Sequence, residues 1–388
     1  MITRRNLLRT AAAAAVATPA AAVLAAQAGG ATGGGKAAAM PLRIVNRTGA
    51  YDNASIHVYI VGNDGTRQVR VTPEGELAPV SLSDNGADGY TDYAIPLSAS
   101  GETTLTLPRM SGRIYTALGG KLRMKAVEDG DGKPALAYPA GWVESDPNFE
   151  VLHDAAEFTY NESGMYCNTT MVDMFSVPLS LRLQGQKDQE AGTLKDGARD
   201  QVFETLRGTE GFDRLVIGDR RVLAPSHGIG AGRFAGDYFD PYVDQVWETY
   251  QGKDLTVSTD AGRFTGRVRG GKLAFTGPGE LSFDRPSTSD VLFCHGALQA
   301  PNDGVQGPVA AVLGAALNRT TLAAHADQPT DDPSGFYGGK ITHHYAKALH
   351  AATTDGKAYG FAFDDVGGFA SYIEDGAPSS VTLTLTPF

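Results

Sequence analysis

The chain has 388 residues, 42% hydrophobic and 20% charged, with 48 glycines and 20 prolines; that is enough to bury two or three cores and too rich in turn formers for long helical bundles. Its 33 basic residues are outnumbered by 44 acidic ones. The acidic balance disfavours phosphate backbones and anionic lipid, so nucleic acid and membrane surfaces are not expected as partners, and neutral or cationic substrates remain.

The first element is a leader. Thr3-Arg4-Arg5-Asn6-Leu7-Leu8 precedes an alanine-rich apolar stretch from Ala11 to Ala26, and Ala26-Gln27-Ala28 supplies small residues for cleavage, a pattern similar to a twin-arginine export signal. The stretch is mostly Ala and contains Pro19, whereas a spanning helix needs about 20 strongly apolar residues. Residues 1–28 therefore read as a signal peptide and 29–40 as a small-residue linker. The mature chain is expected to be secreted by the twin-arginine route as a monomer with no membrane attachment. Losing Arg4, Arg5 and Arg9 leaves 30 basic against 44 acidic residues, a net charge of −14.

Short strands follow at 42–46, 55–61, 68–71, 102–107, 113–117 and 122–127, separated by Asn, Asp and Gly clusters at regular spacing, which predicts a β-sandwich or barrel over 41–181. After Leu181 the period changes. Residues 196–207, 241–250, 305–324 and 342–352 carry apolar side chains at helical spacing, with strands at 254–258 and 272–276 between them, so 182–354 reads as a mixed α/β domain. Residues 358–364 and 379–386 regain strand character, and the tail 355–388 is expected to rejoin the β domain. The fold class is α+β.

Several motifs fail. No Gly-x-Ser-x-Gly elbow occurs, and Gly230-Ala231-Gly232-Arg233-Phe234-Ala235 follows Pro225-Ser226-His227, where a dinucleotide turn would need a buried strand; a flexible loop is the better reading. His343, His344 and His350 lack the His-Glu-x-x-His pattern and read as surface residues rather than metal ligands. No metal or cofactor is expected. Two cysteines, Cys167 and Cys294, are present. An exported protein can join them in a disulfide, with Cys294 ending an apolar strand at 291–293; two buried thiols are the other reading.

The chemistry concentrates between Ala155 and Leu181. In the first flank, period 2 puts Glu157, Thr159 and Asn161 on one face and Phe158 and Tyr160 on the other. In the second, Asp173 interrupts the apolar run Met171, Val172, Met174, Phe175, Val177, a costly place for a carboxylate unless it is paired or faces a wet cleft. A hairpin centred near Met165 would set positions 157 and 173 opposite each other, each eight residues from the centre. Paired carboxylates are the apparatus of glycoside hydrolysis, one protonated and one ionised. A glutamate on a solvated strand face is the bland alternative, common in an acidic protein.

Ala156-Glu157-Phe158-Thr159-Tyr160-Asn161 followed by Val172-Asp173-Met174-Phe175-Ser176-Val177-Pro178 resembles the cleft segment of thaumatin-like proteins, and Ile44-Val45-Asn46-Arg47 resembles their opening strand. Across the mature chain the resemblance is closer to the glycoside hydrolase family 64 β-1,3-glucanases, through Asp237-Tyr238-Phe239-Asp240-Pro241-Tyr242-Val243-Asp244 and Tyr359-Gly360-Phe361-Ala362-Phe363-Asp364-Asp365-Val366-Gly367. That resemblance implies a thaumatin-like β-sandwich or barrel beside the α/β domain, forming a crescent with a wide groove that holds a β-1,3-glucan chain. It also implies inverting hydrolysis, with Glu157 as general acid and Asp173 as general base, and release of short laminari-oligosaccharides, typically the pentasaccharide. Asp146, Thr159, Asn161 and Thr170 match groove-lining positions of the family. Tyr166 stands where a larger aromatic is found, and Asp365 is a further candidate for a sugar hydroxyl contact. A non-catalytic thaumatin-like glucan-binding or antifungal protein is the alternative function.

Overall fold

The computed structural model describes residues 39–388; the expected leader and the linker up to residue 38 lie outside the described residues. Ala39 and Met40, given above to the linker, instead open the strand Ala39–Asn46. Met40 begins the alternation Met40, Leu42, Ile44, whose side chains are buried, the period of a strand with one face covered.

That strand belongs to a five-stranded sheet in the order Asp188–Ala191, Leu179–Gln184, Ser380–Leu385, Ala39–Asn46, Thr103–Pro108. Ser380–Leu385 runs parallel to Ala39–Asn46, with Val381 beside Leu42, and antiparallel to Leu179–Gln184, with Leu383 beside Leu181. An eight-stranded sheet runs Tyr372–Asp375, Gly164–Asn168, Leu152–Asn161, Met110–Leu118, Ile56–Asn63, Gln68–Val71, Leu77–Pro79, and Ile95–Pro96 pairs with Ile56–Asn63 off that path. Leu42, Ile44, Leu105 and Leu383 of the smaller sheet share one buried cluster with Val58, Ile114, Phe158 and Cys167 of the larger, so the two sheets pack face to face as a sandwich. Ala156, Phe158 and Tyr160 point into that core; His153, Ala155, Glu157, Thr159 and Asn161 therefore project from the opposite face. Gly62 and Gly112 lie opposite each other in this sheet. A Cβ on Gly112 would stand 2.2 Å from the Val61 carbonyl oxygen and one on Gly62 2.0 Å from that of Ser111, so the strands approach too closely there for any side chain.

A second core gathers the helices Ala198–Arg207, Asp240–Gly252, Gln306–Asn318 and His344–Ala352 around a five-stranded sheet, Leu281–Phe283, Lys272–Thr276, Gly262–Arg269, Leu255–Thr259, Asp327–Gln328, and a three-stranded one, Met174–Phe175, Arg221–Leu223, Val216–Ile217. Several expectations are corrected here. The helix expected over 305–324 stops at Asn318, and Thr320 turns the chain with φ 54°. The apolar strand expected at 291–293 is the end of a helix, Thr288–Phe293, because Ser287 and Asp290 form a reciprocal capping box upstream. The run 231–235 forms turns, in keeping with the loop read there, while ahead of it Pro225–Gly230 is a helix, which proline opens at its first turn. Residues 358–364 form turns with a single bridge, Thr170 to Tyr359, since Asp364 gathers the Gly360 amide, Arg319 and His350 onto its carboxylate.

Of the three histidines read as surface residues, His344 is half-buried, and the other two are tied into the fold. His343 is buried and caps the helix it precedes by accepting from the Ala346 amide, and His350 is paired at 2.9 Å with Asp364, itself fully buried. Nor are the cysteines bridged: Cys167 and Cys294 are free buried thiols. Cys167 packs in the sandwich core, and Cys294 packs in the helical core as the left-handed cap of Thr288–Phe293. Burial in apolar surroundings pushes both thiols up to about 12.

Candidate active site

Leu152–Asn161 pairs antiparallel with Met110–Leu118, and the register sets Glu157 directly opposite Arg113. Cross-strand partners share a face, so the guanidinium rises beside the carboxylate. Arg113 Nη2 and Nε donate to Glu157 Oε1 at 2.8 and 3.0 Å, and its remaining terminal nitrogen, Nη1, donates to Asp173 Oδ2 at 3.1 Å. One buried arginine thus binds both carboxylates singled out from the sequence.

The route by which they meet differs from the expected hairpin. Leu152–Asn161 and Gly164–Asn168 close around Glu162 and Ser163, with Asn161 opposite Gly164 and Glu157 opposite Asn168. The early turn leaves Asp173 beyond the ladder. Thr169 and Met171 then bond outward to the Ser371 and Tyr359 carbonyls, which draws the chain off the sheet before Asp173. The second flank is therefore not one strand: Asp173 sits in a bend just ahead of the two-residue strand Met174–Phe175.

Asp173 is gripped from the helical side as well. Its carbonyl accepts from the Ala224 amide at 3.0 Å, just before the helix Pro225–Gly230, and its Oδ1 lies 2.8 Å from His227 Nε2 in that helix. The imidazole stacks on Trp142, with ring centres 4.1 Å apart and planes 23° apart, and meets Phe293 edge-on at 5.6 Å. The Trp142 loop is fixed in turn by buried Arg221, which donates to the Gly141 and Val151 carbonyls.

The other expected residues fall into three places. Thr170 is buried, and its Oγ1 has no hydrogen-bond partner. It lines a cavity of about 20 Å³ together with Arg113, Tyr115, Trp142, His153 and Asp173, room for one water. Thr159, Asn161 and Tyr166 extend the Glu157 face outward, Thr159 lying opposite Tyr166; all three are half-buried. Asn161 spends its side-chain oxygen on the Ser163 amide at 2.7 Å. Asp146 is not in the cluster: it staples the Trp142 loop by accepting from the Asn148 amide and side chain and from the Ala140 amide. Asp365 is exposed in a turn of the second body, where its charge helps hold the Cys294 thiol neutral.

Sequence reasoning missed Arg113, His227, Trp142 and Asn168. Arg113 had a signal, a charge at the head of the run Ile114-Tyr115-Thr116-Ala117-Leu118, but nothing local names its partners. Asn168 Nδ2 donates to Glu157 Oε2 at 3.4 Å, and its Oδ1 is buried without a partner.

The electrostatics separate the two acids. Burial pushes the Glu157 carboxyl up, and although Arg113 opposes this, the net position stays above the usual range, helped by the Asp173 charge. Burial also presses on Asp173, but there Arg113 and His227 outweigh it and hold the carboxyl below its ordinary value. A single buried cation can balance one buried anion; the neutral arrangement is a protonated Glu157 beside an ionised Asp173.

A family model described as β-1,3-glucanase, glycoside hydrolase family 64, matches residues 38–385. A glucan endo-1,3-β-glucosidase of Cellulosimicrobium cellulans is 40% identical over 299 residues, 74% of this chain and 54% of that protein; the chain spans about half the length of the curated relatives it matches. Among solved structures, a laminaripentaose-producing β-1,3-glucanase in complex with laminaritetraose is 38% identical, with a TM-score of 0.82 over 90% of this chain and 99% of that one. A family 64 β-1,3-glucanase domain from Clostridium beijerinckii is 28% identical, with a TM-score of 0.79 over 90% and 98%.

Proposed function

The chain belongs to glycoside hydrolase family 64, the β-1,3-glucanases, and from that membership we propose that it hydrolyses β-1,3-glucan by inversion, with Glu157 as general acid and Asp173 as general base. The observation that carries this reading is the Arg113 fork, which holds the two carboxylates on either side of one guanidinium. They are thus kept apart by that group and a hydrogen bond at each end. Such spacing suits inversion, which needs about 6.5–9.5 Å for a water between acid and base, better than the about 5–5.5 Å of a covalent mechanism.

In this mechanism Glu157 Oε1 is occupied by two Arg113 donors, so the transferable proton sits on Oε2. A half-turn of the Asn168 amide from the orientation in the structure, where Nδ2 faces Oε2, lets Oδ1 accept from that proton and hold it until the glycosidic oxygen takes it. As the bond from C1 to that oxygen breaks, Asp173 removes a proton from water and the resulting hydroxide oxygen bonds to C1 from the opposite side. The new reducing end is α. The solved laminaripentaose-producing relative supports a pentasaccharide as the main product here. Secretion through the 1–28 leader, a monomeric state, and a thaumatin-like sandwich whose polar sheet face floors a crescent-shaped groove complete the proposal.

Glu157→Gln and Asp173→Asn are each expected to lower turnover at least ~10²-fold while polymer binding persists. Product sizing on linear β-1,3-glucan and anomer detection by NMR read the outcome. Near-wild-type turnover in either variant removes that residue from the mechanism, and initial release of the β-anomer overturns inversion.

A further inference from the structure

Asp173 is held at three points, and two of them come from the helical body. Its backbone carbonyl is bonded to Ala224 and one carboxylate oxygen to His227, while Arg113 of the sandwich takes the other oxygen. The His227 ring cannot drift from that role: Trp142 lies flat against it, Phe293 abuts it edge-on, and the side chain is only 18% exposed.

We infer that His227 is a positioning residue for the base, fixing the rotation of the Asp173 carboxylate so that its free lone pair points at the attacking water. This deepens the reading of Asp173 given above and rests on it. With Oδ2 pinned by Arg113 and Oδ1 by His227, rotation about the bond to the carboxylate breaks one contact or the other. A single pin would leave the group free to swing. His227 does not touch the sugar in this role; it acts through Asp173, and therefore changes the chemical step rather than substrate binding. A cavity of about 20 Å³ lined by Thr170 and Asp173 adjoins the group so held.

The test is a cycle in the full chain, using laminarihexaose as substrate. His227→Leu removes the donor but keeps an apolar group between Trp142 and Phe293; kcat should fall about 10- to 100-fold with KM within about twofold. His227→Gln restores a donor at the position of Nε2, and should recover most of that loss. In an Asp173→Asn background, His227→Leu should cost little more, since the group it orients is already disabled. The inference is overturned if KM rises while kcat holds, if Gln is as poor as Leu in a protein of unchanged Tm, or if the Leu loss is the same in both backgrounds. An active Asp173→Asn enzyme would instead sink the assignment of the base. An inactive Asp173→Asn beside a wild-type-like His227→Leu would leave the base standing and remove only His227.

Discussion

One guanidinium serves two carboxylates at the centre of this molecule, and its loss is the most informative single change at the scale of residues. Arg113→Met keeps length and removes the charge. Both acids then lose their largest opposing interaction to burial, so each is expected to hold its proton more tightly. Asp173 would be protonated where it should be ionised. With Arg113 present, activity should fall as pH drops through the depressed value of Asp173 and again as pH rises through the elevated value of Glu157, a bell whose limbs belong to the coupled pair. Arg113→Met should lower kcat at least ~10²-fold near neutrality and move the acid limb to higher pH. Breaking a buried pair should also cost about 3–5 kcal/mol of stability, read in a denaturant titration; an unmoved acid limb would separate Arg113 from the ionisation of Asp173. The family and the two acids were legible because Glu157 and Asp173 lie 16 residues apart in one segment. Arg113 and His227 were not, standing 44 and 54 residues from the acids they bind, with strand register and helix placement as their only link.

At the scale of elements, the strands 68–71 and 272–276 were read to the residue, since alternation between turn-forming clusters states both ends. Thr288–Phe293 was misread because Val291-Leu292-Phe293 has no period of its own; the decisive signal was polar and upstream, in Ser287 and Asp290. The Glu157 hairpin was placed correctly in the chain and given the wrong centre, because symmetry about two acids was used where the tight turn at Glu162 and Ser163 decides. Elements also carry the site through their backbones. Gly112 precedes Arg113, and a Cβ there meets the neighbouring strand's carbonyl at 2.2 Å. Gly112→Ala should therefore spread the pair of strands and displace Arg113, lowering stability by about 1–3 kcal/mol and turnover together. Unchanged turnover in a destabilised variant would show that the strand yields without moving the arginine.

For the whole molecule, acid sensitivity is written in two buried histidines, one near the carboxylates and one in the helical body. Burial lowers His153 to about 3 and His343 to about 4, from an ordinary 6.5. Both remain neutral in the folded chain where the unfolded chain takes up protons, so stability is full above pH 6.5 and declines as pH falls toward those values, at about 1.4 kcal/mol per unit for each group. His350 acts in the other sense: although burial opposes it, its pairing with Asp364 leaves it raised, so its contribution is present below 6.5 and fades as pH rises through the folded value. Asp154, pushed up to about 7 by burial, and the raised Glu157 act against the first two histidines, losing stability as pH rises through the acid range, so each histidine's share is read by difference in a variant. His343→Asn keeps an acceptor for the Ala346 amide and should raise Tm at pH 4 relative to pH 6.5 when compared with the unmodified chain; an unaltered difference would exonerate this residue. The placing of Ser380–Leu385 between Ala39–Asn46 and Leu179–Gln184 has a consequence in time. On the ribosome the first strands of the smaller sheet emerge early, yet the ladder joining them is completed only by a strand made some 200 residues later, a delay of roughly 10–40 s at about 5–20 residues per second. Through that interval the smaller sheet carries two unpaired inner edges open to other chains, so its yield in a cell should depend on how crowded translation is and on whatever shields those edges until residue 385 arrives.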